Sequence, residues 1–128
     1  MQNSLVTKEW IEKANSDLDF AKASFSEFDQ FYVQMCILCH DAVEKYLKGY
    51  MVSQKKKPKR IHDLVALVKE CFKFDEEFKD YEDDCRILNP YYIPLKYPSH
   101  YPICTKRQAE QAIEVATRIE DFIKKKMR

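Results

Sequence analysis

Glycine occurs only once in this 128-residue chain, and that scarcity limits the available folds more than any other feature. Loops that cradle phosphates, such as GxxxxGK[ST] and GxGxxG, need at least two glycines, so the sequence excludes the P-loop and Rossmann types of nucleotide site. All-β folds with many tight turns also need glycine, because such turns use positive φ angles that other residues rarely adopt. The sequence therefore favours helices.

The composition indicates one folded and nearly neutral domain over residues 1–128. Apolar residues make up 45% of the chain, and eight Phe, eight Tyr and one Trp supply a core, so intrinsic disorder is excluded. The net charge is +1, far from the strongly basic balance of a dedicated nucleic-acid binder. No apolar run approaches the roughly 20 residues that span a bilayer, so we expect no membrane partner.

Five cysteines predict a reducing compartment. Their number is odd, and Cys36, Cys85 and Cys104 lie beside apolar or helical residues, so we expect free thiols and a cytoplasmic location. The spacing Cys36-x-x-Cys39-His40 also occurs in zinc and redox motifs, but the other cysteines are isolated and no strand precedes the pair. We therefore expect core cysteines, no bound metal and no cofactor.

Apolar residues recur at helical spacing through most of the chain. This spacing predicts helices over 7–25 with Thr7 as N-cap, over 31–53, over 61–72, from 74 or 75 to 88, and from 105 to the C-terminus. Together these segments predict an all-α protein, an antiparallel four-helix up-and-down bundle with an additional short helix. Glu44 and Lys48, four residues apart on the second helix, are expected to form a surface ion pair.

The stretch Asn89–Cys104, NPYYIPLKYPSHYPIC, interrupts the helical pattern with a proline at every fourth residue. Proline lacks a backbone donor and blocks a helix, so we expect an extended Pro/Tyr-rich crossing loop. Its tyrosines are expected to cover one end of the bundle or to form a dimer contact. Alternatively they stack on a base while Lys96 and His100 contact phosphate.

Four segments together resemble the HEPN family of small helical domains. They are CHDAVEKYLKGYM, KPKRIHDL, LNPYYIPLKYP, and Trp10 with Asp17-Leu18 in the first helix. The Arg-Tyr-Pro that ends the family's tyrosine-rich segment is replaced by Lys96-Tyr97-Pro98. The resemblance covers nearly the whole chain. It implies that the protein is a helical bundle, that it comes from a prokaryote and that it forms a homodimer. It further implies a minimal nucleotidyltransferase as partner, in a toxin–antitoxin or nucleotide-handling pair.

The resemblance implies either of two activities, since many family members are metal-independent ribonucleases and others are non-catalytic nucleotide or RNA binders. The ribonucleases carry an Arg, four to six residues, and then a His, which moves the proton of a ribose 2′-hydroxyl while the Arg neutralises charge on phosphorus. That motif is absent here, because thirteen residues separate Arg86 from His100 and one separates Arg60 from His62. Lys57 has the right distance to His62, but lysine lacks the bidentate fork of arginine.

Three hypotheses about function follow from these residues. The first is a nucleotide- or RNA-binding module with little or no catalysis, whose phosphate-binding candidates are Arg60, His62, Asp63, Lys96 and Tyr97. The alternative is a metal-independent ribonuclease toxin with a rearranged site, in which His62 or His100 is the base and Arg86 or Arg60 clamps the phosphate. The third is a structural subunit that binds the transferase through segregated charge, since residues 75–84 hold seven acids and one lysine. His62 and Asp63 also have a simpler interpretation, as residues that cap the third helix.

Overall fold

The computed structural model describes residues 4–92 and 103–128, and every regular element in those ranges is helical, which confirms the all-α prediction. The α-helices are α1 (Leu5–Glu27), α2 (Tyr32–Ser53), α3 (Leu64–Phe72), α4 (Glu82–Leu88) and α5 (Lys106–Lys126). Short 3₁₀ helices at Glu76–Tyr81 and Asn89–Tyr91 flank α4. In the part of the chain that the structure describes, three α-helices are long and two are short, whereas the apolar spacing predicted four long helices. Within the described residues, no helix is both long and apolar enough to cross a membrane.

Capping side chains set the helix starts, and they correct two predicted boundaries. Ser4 rather than Thr7 caps α1, because its Oγ accepts the Thr7 N–H at 3.2 Å and leaves Thr7 buried in the first turn. Helix α3 begins at Leu64, three residues later than predicted, because the Asp63 carboxylate accepts two backbone N–H groups of the first turn. Thr105 caps α5 close to its predicted start.

Helix α2 is the centre of the fold, since it packs against α1 and α5 along its length and also contacts α3 and α4. Its buried residues occupy most of its circumference, as the sequence predicts for a central helix. The one glycine, Gly49, lies where α1 crosses α2. A Cβ at this position would lie 2.9 Å from Ile11 Cδ1 and 3.1 Å from Trp10 Cβ, so glycine permits the close approach of the two helices.

Four aromatic rings hold the 3₁₀ helix 76–81 against α2 and α5. They belong to Tyr50, Phe78, Tyr81 and Phe122, and we call them the aromatic cluster. Phe78 is fully buried, with its ring centroid 4.5 Å from that of Tyr50 and 4.8 Å from that of Phe122 in an edge-to-face arrangement. Tyr81 stacks on Phe122 at 4.3 Å. Aromatic pairs at these distances add to the stabilisation from burial, so this cluster is a main anchor of the shorter elements.

The cysteines are free thiols, and four of the five are buried in the core. Burial raises the pKa of Cys39 and of Cys71 to about 12, which keeps both thiols protonated at neutral pH. The prediction of core cysteines is therefore confirmed for Cys36, Cys39, Cys71 and Cys85.

Candidate functional site

Polar side chains meet where α2, the segment before α3 and the 3₁₀ helix after α4 come together. On α2, His40, Glu44 and Lys48 are spaced four residues apart and therefore share one face of the helix. His62 and Tyr92 lie against this face. We call the side chains of His40, Asp41, Glu44, Lys48, His62 and Tyr92 the histidine cluster.

His62 is held by two neighbours that leave one ring nitrogen available. Its Nδ1 lies 2.9 Å from Glu44 Oε2, and because a carboxylate only accepts hydrogen bonds, Nδ1 carries a proton and donates it. Tyr92 stacks on the imidazole with 4.4 Å between centroids and 12° between planes. Among residues 4–92 and 103–128, Nε2 of His62 has no hydrogen-bond partner, and 47% of the side chain is exposed. An imidazole oriented by a carboxylate, with its second nitrogen open to a ligand, is suited to hydrogen bonding or proton transfer.

His40 lies beneath His62 and is fully buried. Its Nε2 is 3.0 Å from the backbone carbonyl oxygen of His62, so Nε2 carries a proton and ties the segment before α3 to helix α2. Its Nδ1 faces two carboxylates, with Asp41 Oδ1 at 3.3 Å and Glu44 Oε1 at 3.9 Å.

Asp63 and Asn89 lock the start of α3. The Asp63 carboxylate accepts the N–H groups of Val65 and Ala66, and Asn89 donates to it from Nδ2 at 3.0 Å while accepting the Leu64 N–H on Oδ1 at 2.8 Å. The Asn89 hydrogen bond, followed by that of the Ala66 N–H, holds the pKa of the Asp63 carboxyl below its usual value. These contacts give Asp63 the capping role, and they occupy backbone donors that a phosphate would otherwise use.

An open groove of about 400 Å³ lies next to this lock, lined by Ile61, His62, Asp63, Asn89 and Tyr92. Arg60 is exposed two residues before His62 and has no ion-pair or hydrogen-bond partner among the residues that the structure describes. Its neighbour Lys59 pairs with Glu70 at 3.1 Å. The groove therefore has a flat pair of rings on one wall and an uncompensated guanidinium close by in the sequence.

The structure does not bring all the predicted site residues together. His62 and Asp63 line the groove, whereas Arg86 lies on the exposed side of α4, where it pairs with Glu82 and contacts Asp83 at 3.9 Å. Lys96, Tyr97 and His100 lie outside the described residues, as does most of the Pro/Tyr-rich loop.

Tyr92 is one of the loop tyrosines predicted to cover the bundle or to stack on a base, but the sequence does not single it out, nor does it single out Asn89. The Glu44–Lys48 pair exists, with 2.8 Å between Lys48 Nζ and Glu44 Oε2, but both side chains are largely buried rather than at the surface. The signal available in the sequence was the spacing of His40 and Glu44 on one apolar helix. A carboxylate on the face that carries buried residues needs a partner, and here the partners are Lys48 and His62.

A model of the HEPN domain matches residues 7–126, and the chain therefore belongs to the HEPN domain family. It is similar to the solved structure of TT1696 from Thermus thermophilus, with 26% identity and a TM-score of 0.79 over 94% of this chain and 97% of that one. It is also similar to ST0689, an archaeal HEPN homologue, with 26% identity and a TM-score of 0.76 over 95% of this chain and 98% of that one. No curated protein matches the chain. The resemblance seen in the sequence is thus confirmed.

Proposed function

We propose that this HEPN domain binds a nucleotide or a single-stranded RNA in the groove beside His62. The observation that carries the proposal is the stacked pair of His62 and Tyr92 on the wall of that groove. Flat rings at a groove wall offer a stacking surface for a base, and such stacking tolerates any base. With the ring proton on Nδ1, the free Nε2 of His62 can accept a hydrogen bond from a donor on a base edge or from a ribose hydroxyl.

The charge distribution around the groove also supports this proposal. Two acidic groups beside His62 already have partners, because Glu44 accepts from Lys48 and Asp63 accepts from backbone N–H groups and Asn89. Arg60 and the lysines at 55–57 extend from the same segment as exposed cations. Cations next to a stacking surface are what a phosphorylated, single-stranded ligand requires.

The binding proposal is tested by titrating ATP and a short labelled single-stranded RNA into the protein at two salt concentrations. We expect Arg60→Ala to weaken binding about tenfold and to reduce the salt dependence, since one phosphate contact is lost. Arg107→Ala removes the same charge from a side chain that is 91% exposed on α5, and it should bind as the wild type does. Equal effects of the two substitutions would show that the attraction is only general charge. No binding of either ligand would favour the structural-subunit hypothesis.

A ribonuclease is a second candidate, and the Glu44–His62 hydrogen bond is the observation that favours it. A carboxylate that orients an imidazole through Nδ1 leaves Nε2 to take the proton of a ribose 2′-hydroxyl, with Arg60 to stabilise charge on phosphorus. If this is the activity, His62→Asn lowers RNA cleavage at least a hundredfold in the presence of a chelator, while RNA with 2′-deoxyribose at the cleaved position is not cut. Cleavage that persists in His62→Asn would exclude this imidazole as the base.

We further propose that the domain acts as a homodimer with a minimal nucleotidyltransferase in a prokaryotic cytoplasm, as one half of a toxin–antitoxin pair. Membership of the HEPN family supports this proposal, and so does the acidic stretch at 75–84. Within that stretch Asp80 and Asp83 are exposed, so the surface keeps acidic groups for a basic partner. Light scattering on the purified chain tests the dimer, and co-purification with the protein encoded next to it tests the partner. A monomer that elutes alone would contradict both.

A further inference from the structure

We propose that His40, Asp41 and Glu44 form a binding site for a divalent transition-metal ion such as Zn²⁺ or Mn²⁺. One ligand atom from each side chain lies within 4.8 Å of the other two. The site uses the side of the Glu44 carboxylate that faces away from His62, because Oε1 is directed to His40 and Oε2 to His62 and Lys48. The proposal does not depend on ligand binding in the groove.

The hydrogen bond that His40 donates leaves the opposite side of its ring facing two carboxylates. Because the His62 carbonyl oxygen can only accept, Nε2 of His40 carries the proton, and the neutral ring then has its lone pair on Nδ1. That lone pair faces Asp41 Oδ1 at 3.3 Å and Glu44 Oε1 at 3.9 Å, so three acceptors would meet with nothing between them. A divalent metal ion is a ligand that would satisfy all three acceptors at once.

Three features favour a metal ion between these groups. First, His40 is fully buried, which fixes its ring beside the two carboxylates. Second, a ring that donates one N–H to a backbone carbonyl is the usual outer support of a metal-bound histidine, since this bond fixes the tautomer and the ring orientation. Third, one imidazole nitrogen and two carboxylate oxygens are suitable ligands for Zn²⁺ and Mn²⁺.

The geometry of the three side chains is also compatible with coordination. Ligand atoms about 2.1 Å from a tetrahedral ion lie about 3.4 Å from one another. The separations of 3.3 Å and 3.9 Å around His40 Nδ1 lie near this value, and all three ligand atoms lie within 4.8 Å of one another. The Asp41 side chain is 38% exposed, which gives the ion a route from solvent. With three protein ligands, the remaining coordination position is left to water.

This site differs from the zinc motif considered in the sequence, because only His40 belongs to both. Cys39 is buried with its thiol pKa raised to about 12, and a neutral thiol is a poor ligand. The other two ligands are instead Asp41, which follows His40 directly, and Glu44, which lies one helical turn after His40. The spacing of the cysteines does not indicate this combination.

The experiment is a calorimetric titration of the chelator-treated full chain with Zn²⁺, Mn²⁺ and Co²⁺, together with the visible spectrum of the Co²⁺ form. We expect one ion per chain, a rise in Tm on saturation, and a Co²⁺ spectrum that reports nitrogen and oxygen ligands without thiolate. Asp41→Asn should weaken binding at least tenfold. Asp83→Asn makes the same chemical change at a side chain that is 98% exposed, and it should leave binding unchanged.

Two further variants separate this proposal from the one about the groove. His40→Gln removes the central ligand, and should it fail to fold, the pair Asp41→Asn and Asp83→Asn still decides the question. The His62→Asn variant should still bind the metal ion but should no longer bind the nucleotide or RNA. Each proposal can therefore be contradicted without contradicting the other. The metal site is overturned if none of the three ions binds saturably, or if Asp41→Asn binds as tightly as Asp83→Asn.

Discussion

Helix α2 meets shorter elements at the aromatic cluster and at the histidine cluster, and the two places are built differently. In the aromatic cluster, Tyr50, Phe78, Tyr81 and Phe122 contact one another, and the charged groups lie at its edge, as in the pair of Lys126 with Asp75 at 2.8 Å. In the histidine cluster, charged and polar groups are themselves inside. The aromatic cluster is stabilised by the burial of apolar rings. The histidine cluster instead buries charged and polar groups, which could be replaced by apolar ones without loss of stability. The difference indicates that the aromatic cluster holds the fold, and it agrees with our proposal that the function lies at the histidine cluster.

The largest effect on stability is expected from Phe78→Ala in the aromatic cluster. Removing a fully buried ring leaves a cavity between α2 and α5 and should lower the free energy of unfolding by about 3 to 5 kcal/mol. Urea denaturation measures the change, with Phe20→Ala as the control because that ring is 64% exposed. The folded variant should bind the nucleotide or RNA that we propose for the groove with the same affinity as the wild type. Reduced affinity would mean that the two clusters are coupled.

Glu44→Ala should lower both stability and ligand binding, which no substitution in the aromatic cluster is expected to do. It leaves the Lys48 ammonium buried without its carboxylate and frees His62, so we expect a loss of about 3 kcal/mol. The double variant Glu44→Ala with Lys48→Met should recover part of that stability, because the unpaired charge is gone, but should recover none of the binding. Denaturation and RNA titration of both variants give the two readouts. Recovery of binding in the double variant would show that the carboxylate has no role in the groove.

Two substitutions at Asp63 separate the stability that comes from its helix-capping hydrogen bonds from the stability that comes from its negative charge. Asp63→Ala removes the cap of α3 and should cost about 1 kcal/mol, whereas Asp63→Asn keeps a good capping residue and should be nearly neutral at pH 7. The folded-state pKa of Asp63 lies below its ordinary value of 3.8, so its contribution to stability is present above that value and is lost as the pH falls through the folded-state pKa. Asp63→Asn should therefore lose less stability than the wild type on acidification. Identical acid sensitivity in denaturation experiments would contradict the assignment.

The smallest effect is expected from Arg86→Ala. Its partners Glu82 and Asp83 lie on its own helix, and 58% of its side chain is exposed, so stability should change by less than about 0.5 kcal/mol. Binding of RNA should not change either, because the structure places Arg86 on the exposed side of α4. A clear loss of RNA binding or cleavage in this variant would restore Arg86 as a phosphate clamp and would place the site elsewhere.

Local features of the fold were predictable, and long-range partners of the site were not. The burial of α2, the free cysteines and the helix that follows Thr105 depend on residue type and spacing within one element. The predicted fourth helix proved to be a 3₁₀ helix followed by a single short α-helix. Its first residues are held by the packing of Phe78 between α2 and α5, which apolar spacing along the chain does not encode.

The sequence by itself determined that this chain is helical, that α2 is central, and that it belongs with HEPN domains. Scarce glycine, helical periodicity and four short motifs are all properties of neighbouring residues. Only the tertiary structure decided that His62 pairs with Glu44, 18 residues away, and that Asn89 closes the start of α3 on Asp63, 26 residues away. Such contacts arise when separate elements pack together, and the direction of each hydrogen bond then sets which nitrogen of His40 and of His62 carries its proton. The chemistry of the site therefore depends on packing, because spacing along the chain places a histidine on a helix but does not choose its partner.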